Sequence, residues 1–237
     1  MICDNLEQVR AAVRAAALAC GRNPDAIKIM AVSKHVPAAG VAAAQACGQT
    51  VFGENYLQEA AGKISQLDPA LEWHFIGHLQ SNKAAAAASL FQVIQTVDRL
   101  KLAAALDKHA AQLGKQLDVL VQVNVGREPQ KSGVLPEQAE ELLRAMRPLA
   151  SLRVRGLMTM PPLGREPEAS RPWFRSLKQL SLHLAEESLF HDNEAVALSM
   201  GLSGDFRVAV EEGATMVRIG TTLFGERPIN LSQDIEI

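Results

Sequence analysis

Lys34 ends the run IKIMAVSK, where strand alternation would put Met30, Val32 and Lys34 on one side and Ile29, Ala31 and Ser33 on the other. If Met30 and Val32 fill a core, the Lys34 amine points into its mouth. Burial there disfavours the ammonium form, and a neutral amine can attack an aldehyde to form an imine. A lone lysine at a strand end would instead simply reach solvent, as most lysines do. The rest of the chain must decide between these readings.

Two further segments bear on that choice. Ser203 is placed to cap a helix running to about Glu212, with Gly213 beyond it. Free N–H groups at such a start, with Gly204 beside them, would suit an anion. Gly220 allows close backbone approach, and Thr221 adds a hydroxyl. Each alone reads as an ordinary cap or turn; together they suggest a phosphate cradle. Arg218 stands two residues before Gly220 and should share its face of the strand. A buried guanidinium needs an acceptor. A heteroaromatic ring nitrogen would serve and would stay unprotonated, because guanidinium keeps its proton. The alternative is a structural ion pair with Glu54 or Asp205.

Other polar residues are less committal. His74 and His78 are four apart but straddle a strand end, and no carboxylate or cysteine cluster completes a metal site, so hydrogen-bonded structural histidines are expected. Glu128 and Lys131 read as a solvated pair or as a closure over a ligand. Cys3, Cys20 and Cys47 show no C-x-x-C spacing, so reduced thiols are expected.

These residues need a scaffold that gathers strand ends. Eight apolar or β-branched runs recur, at 27–33, 50–53, 72–77, 92–97, 117–125, 152–158, 195–200 and 215–219, each followed by a helical pattern. Several are apolar throughout, as strands buried on both faces should be. Asp98 is expected to cap a helix that Gly114 closes, and Pro37 and Pro136 to stand in first helical turns. A further helix, 6–20, precedes the first strand, with Leu6, Val9, Val13 and Leu18 among its apolar positions. Strand then helix, eight times in 237 residues, predicts a single (β/α)8 barrel over 1–237 with an extra N-terminal helix. A doubly wound open sheet is the second choice. The stretch 161–172, PPLGREPEASRP, is expected as a loop over the barrel mouth. In such a barrel the residues singled out above fall at the C-terminal ends of strands, where function resides.

Bulk properties narrow the function. The 24 Lys and Arg against 26 Asp and Glu give a net charge of −2, which argues against a nucleic-acid partner. The opening MICDNLEQVR carries charge early, so no signal peptide or membrane span is expected, and the location is read as cytoplasmic.

The stretches AVSKHVP, FGENYLQE, WHFIGHLQSNK, VQVNVGREPQKSG, RGLMTM, LSMGLSGDF and VRIGTTLFG together resemble the pyridoxal phosphate homeostasis protein family. The resemblance spans nearly the whole chain. It implies a fold-type III pyridoxal 5′-phosphate (PLP) barrel, similar to the N-terminal domain of alanine racemase. It implies that Lys34 carries the cofactor as a Schiff base. It places the phosphate on Ser203, Gly220 and Thr221 with Gly204 nearby, Arg218 at the pyridine nitrogen, and Asn55, Met158 and Ser199 around the cofactor. His78, Lys83 and Lys131 fall in its HLQxNK and KxG motifs, with roles left open. Leu202 replaces a common methionine, and Thr222-Leu223 a more usual Ala-Ile.

A racemase of this fold needs acid–base groups on both faces of the substrate α-carbon. In alanine racemases the opposing tyrosine comes from a second domain, whereas this chain stops shortly after FGERP, and Tyr56 is no obvious substitute. A neutral pyridine is also a weaker electron sink than a pyridinium. The expectation is therefore a PLP carrier that sequesters or delivers the cofactor to PLP-dependent apoenzymes, acting as a monomer and not as an efficient enzyme. A low-efficiency amino-acid racemase, or a phosphate-sugar enzyme using Lys34 as an imine lysine, stands as the alternative.

Overall fold

The computed structural model describes residues 1–162, 164 and 166–225. Leu163 and Arg165 of the long loop, and the end of FGERP, lie outside them. Eight strands close into one parallel barrel in sequence order. They are β1 (Lys28–Val32), β2 (Val51–Glu54), β3 (Glu72–Phe75), β4 (Val93–Val97), β5 (Leu117–Gln122), β6 (Leu152–Met158), β7 (Ala197–Ser199) and β8 (Met216–Ile219). Closure comes from β8 lying beside β1, with Met30 opposite Arg218 and Ala31 opposite Ile219. The open-sheet alternative is thereby excluded.

Helices surround the barrel: α1 (Ile2–Ala19), α2 (Ala38–Ala46), α3 (Leu57–Ile64), α4 (Ala84–Leu90), α5 (Leu100–Gln112), α6 (Ala139–Met146), α7 (Arg171–Glu186), α8 (Phe206–Glu211) and α9 (Thr221–Phe224). Their inward stripes follow helical spacing. In α6 the buried residues are Ala139, Leu142, Leu143 and Met146. Each such Leu contributes about 2 kcal/mol by leaving water. The stripes meet the outward faces of the strands, so Phe52, Phe75, Ile94 and Val217 join the main core. The barrel interior is separate. Met30, Val32, Val51, Ile76 and Met216 form a small apolar cluster there, and Gly53 leaves room for it: a Cβ would stand 2.5 Å from Met30 Sδ.

Local details correct several expectations. Leu18 is exposed, because its place on α1 faces away from the stripe of Leu6, Val9 and Val13. Arg99 occupies the N-cap of α5; Asp98 instead accepts from Arg99 and from the Gly133 N–H. Pro37 sits at the N-cap of α2, one position earlier than expected. The start of α1 lies against the end of α2, leaving the Cα atoms of Cys3 and Cys47 5.4 Å apart. These two cysteines form a disulfide, contrary to the expected set of free thiols. Cys20 is free. No helix among the described residues is long and apolar enough to cross a membrane.

Candidate functional site

Met30 and Val32 face into the barrel, so strand alternation carries Lys34 to its C-terminal mouth. There a cavity of about 440 Å³ opens, within the range of small-ligand sites. Lys34, Asn55, Ser203, Gly204, Arg218, Gly220 and Thr221 all line it. Met158 and Ser199, the other two positions singled out, are buried in the barrel and do not line it. Val32, Ile76 and Leu202 give it apolar walls, and Met160 to Pro162 with Gly164 and Glu166 cover one side, as expected for the long loop. A larger cleft, about 580 Å³, lies at the opposite end of the barrel, away from the strand ends that carry these groups.

Lys34 is half-buried, and the backbone around it is tightly held. His35 adopts φ 60°, a conformation uncommon outside glycine. Its N–H donates to Glu59 Oε1 at 2.6 Å, and Lys63 Nζ donates to the Ser33 carbonyl at 2.6 Å. Lys63 also meets Glu54 Oε1 at 2.8 Å, which in turn accepts from Ser33 Oγ at 2.6 Å. Burial pushes the Glu54 carboxyl above the ordinary carboxylate range, with the Lys63 charge and hydrogen bonds working against it. This cluster was missed in the sequence. The Glu59–Lys63 spacing of four resembles a routine surface pair, yet Lys63 is buried.

The far side of the cavity is built by the ends of β7 and β8. Ser203 does not cap α8, which begins at Phe206 with Asp205 at the N-cap. Asp205 Oδ1 accepts the Leu202 N–H at 2.7 Å, and its Oδ2 accepts from Ser170 Oγ at 2.8 Å. The carboxylate thus ties the β7 loop to Ser170 and makes no hydrogen bond to the first turn of α8. Ser203 joins the two loops, its Oγ accepting the Gly220 N–H at 3.3 Å. Small residues and hydroxyls form this wall, with Gly220 and Thr221 at the start of the short α9.

Arg218 is buried without the ion pair considered for it. Its NH1 donates to the Ser199 carbonyl and Oγ, both at 2.8 Å, and its NH2 to the Thr159 carbonyl at 2.7 Å. Burial pulls its pKa down to about 10, with Asp205 opposing the shift, so it stays a cation at neutral pH. Asn55 Oδ1 is buried without a hydrogen-bond partner, an acceptor left over at the cavity wall.

The remaining motif residues lie to one side. His78 and Lys83 are exposed; His78 Nδ1 is 2.9 Å from Ser132 Oγ. Lys131 pairs with Glu128 at 2.5 Å and donates to the Pro161 carbonyl at 2.9 Å, tying the β5 loop to the covering loop. His74 is buried between Glu72 and Gln95, as a structural histidine would be. Among the described residues no group of three or more His, Cys, Asp or Glu could hold a metal. Tyr56 does not line the cavity; its ring lies 5.3 Å from that of His35.

Comparison with known proteins follows the same outline. Residues 5–228 match the family model of the alanine racemase N-terminal domain. The chain is 47% identical to a pyridoxal phosphate homeostasis protein of Pseudomonas aeruginosa, over 95% of this chain and 96% of that one. It is 43% identical to a protein of the same name from Aquifex aeolicus, over 95% and 98%. The structure of PipY from Synechococcus elongatus with PLP bound superposes with a TM-score of 0.83 at 36% identity, covering 95% of this chain and all of that one.

Proposed function

Because this chain belongs to the alanine racemase N-terminal domain family, within its pyridoxal phosphate homeostasis branch, we propose that it binds PLP at the barrel mouth and serves PLP homeostasis. One observation carries the reading: a lysine, an arginine and four small or hydroxyl residues of two neighbouring loops surround a single cavity of small-ligand size. The donor set suits the cofactor. Lys34 would supply the amine for its aldehyde, a linkage that water reverses. Ser203, Gly204, Gly220 and Thr221 hold the phosphate. Arg218 meets the pyridine nitrogen and keeps it unprotonated, since its own proton is retained at neutral pH. Asn55 supplies the unpartnered acceptor to a donor on the ring. PLP bound this way supplies an electrophilic carbon for imine exchange; with a neutral ring it is a weak electron sink.

We read the protein as a cytoplasmic, monomeric carrier that sequesters PLP and passes it to apoenzymes. The test is borohydride reduction of the protein mixed with PLP, followed by peptide mapping. Label on Lys34, lost in Lys34→Ala, supports the reading; label elsewhere, or none, overturns it. Deuterium wash-in at the α-carbon of L-alanine at enzymatic rates would overturn the carrier role, and a stable dimer in sedimentation would overturn the monomer.

A further inference from the structure

Arg218 is the end of a longer chain of contacts through the barrel interior. Its NH1 lies 2.8 Å from Ser199 Oγ, and that oxygen lies 2.7 Å from Gln95 Oε1. Gln95 Nε2 lies 2.7 Å from His74 Nδ1, and His74 Nε2 lies 2.7 Å from Glu72 Oε1. Four strands contribute: β8, β7, β4 and β3. Arg218, Ser199, Gln95 and His74 are each at most 2% exposed, and the links between them are direct side-chain contacts.

The donors and acceptors available assign a direction to each bond. Guanidinium only donates, so Ser199 Oγ accepts from it and has its own proton for Gln95 Oε1. The Gln95 amide then turns its NH2 to His74 and to Met216 Sδ at 3.1 Å. A flipped amide would set its oxygen against that sulfur and its NH2 against the serine, leaving the hydroxyl proton without an acceptor. With Nδ1 accepting, His74 carries its proton on Nε2 and donates to Glu72. That bond holds the Glu72 carboxyl below its ordinary range, against the effect of burial. The chain begins on a charge that can only donate and ends on a carboxylate that accepts.

We propose that Glu72, His74, Gln95 and Ser199 are positioning residues for Arg218, fixing which edge its guanidinium turns to the ring nitrogen of bound PLP. The proposal rests on the PLP reading above and deepens it. A network that merely satisfied buried polar groups would affect stability alone. A positioning network also sets the protonation of the ring. When the Ser199 hydroxyl loses Gln95, its proton is free to turn toward Arg218 and displace it, and when the hydroxyl itself is removed Arg218 NH1 keeps only the Ser199 carbonyl; either change frees the guanidinium edge. The ring nitrogen then gains a proton from solvent, and the resulting pyridinium draws electrons from the imine nitrogen and lowers its pKa.

The test uses the full chain with added PLP and reads two quantities: the pH midpoint of the visible imine band and PLP retained after ultrafiltration. Gln95→Leu and Ser199→Ala are expected to lower the midpoint by about one pH unit, a tenfold change in the proton equilibrium, and to weaken retention. Ser199→Thr, which keeps the hydroxyl, should restore the wild-type midpoint. Ile94→Val, a packing change on the outer face of β4, should leave both quantities unchanged. Should Gln95→Leu fail to fold by far-ultraviolet circular dichroism, Ser199→Ala decides. Wild-type midpoints in the folded Gln95→Leu and Ser199→Ala proteins would overturn the positioning role while leaving PLP binding intact. Absence of band and retention in the wild-type protein would overturn the PLP reading itself.

Discussion

Lys63 Nζ lies 2.6 Å from the carbonyl oxygen of Ser33, and the cluster it anchors reaches the N–H of His35 through Glu59. The two peptide groups flanking Lys34 are therefore held by one set of charges. Lys63→Met would leave the Glu54 carboxyl buried beside no cation. Losing one partner of a buried pair costs about 3–5 kcal/mol. Urea unfolding of Lys63→Met should show a loss of that size, and Lys63→Met with Glu54→Gln should recover part of it. Additive losses would show that the two residues do not act as a pair.

Gly204 separates binding from folding. A Cβ there would meet nothing within 4 Å, and its backbone is outside the left-handed region. Gly204→Ala should keep the unfolding midpoint of the parent, or raise it slightly by restricting the unfolded chain. It should weaken PLP retention by about tenfold, roughly 1.4 kcal/mol, by crowding the phosphate wall. Unchanged retention would remove Gly204 from that wall.

Two carboxyls shape the pH dependence in opposite senses. The Glu72 carboxyl is lowered by its bond to His74, so its stabilisation is present above the unfolded carboxylate pKa and is lost as pH falls through the folded value. The Glu54 carboxyl is raised by burial, so its contribution is full below the unfolded value and is lost as pH rises through the folded one. Unfolding midpoints measured from about pH 3 to about pH 7 should fall less steeply on the acid side in Glu72→Gln than in the wild-type protein. An identical acid limb would contradict the assignment.

The Cys3–Cys47 disulfide spans a separation of 44 residues and ties α1 to α2. Chain-entropy arguments put the stabilisation from a loop of that size at up to about 4 kcal/mol. A thiol titration of the denatured protein should find one free group without reductant, Cys20, and three with it. The reduced protein should unfold at lower urea. Three free thiols in the unreduced protein would show the bond unformed.

The barrel was legible in the sequence because parallel strands buried on both faces read as largely apolar, β-branched runs, and IKIMAVS and LDVLVQVNV are such runs. The inward aim of Lys34 and Arg218 followed from simple alternation counted from Met30 and Gly220. Helix starts were less legible. Ser203 and Asp205 are both good caps by type, yet neither side chain caps α8: Ser203 Oγ accepts from Gly220 N–H and Asp205 Oδ1 from Leu202 N–H. Asp98 failed as a cap because Gly133, from a loop 35 residues away, uses its carboxylate. The spacing of Lys63 from Glu59 signals no more than a surface pair, and Gln95 carries no local signature. Their partners, Ser33 and Ser199, are 30 and 104 residues distant, and such pairings are fixed only by the closing of the barrel.

That closing occurs at a seam. The strand that leads to Lys34 lies directly beside the strand that carries Arg218, although 184 positions of sequence separate a cavity residue on one from its counterpart on the other in the extreme case of Lys34 and Arg218. A ribosome must therefore extrude the polypeptide as far as Thr221 before the amine made near the start of translation has a pocket around it. Until then the cavity lacks its β8 wall, and any ligand of the barrel mouth must wait for the finished barrel.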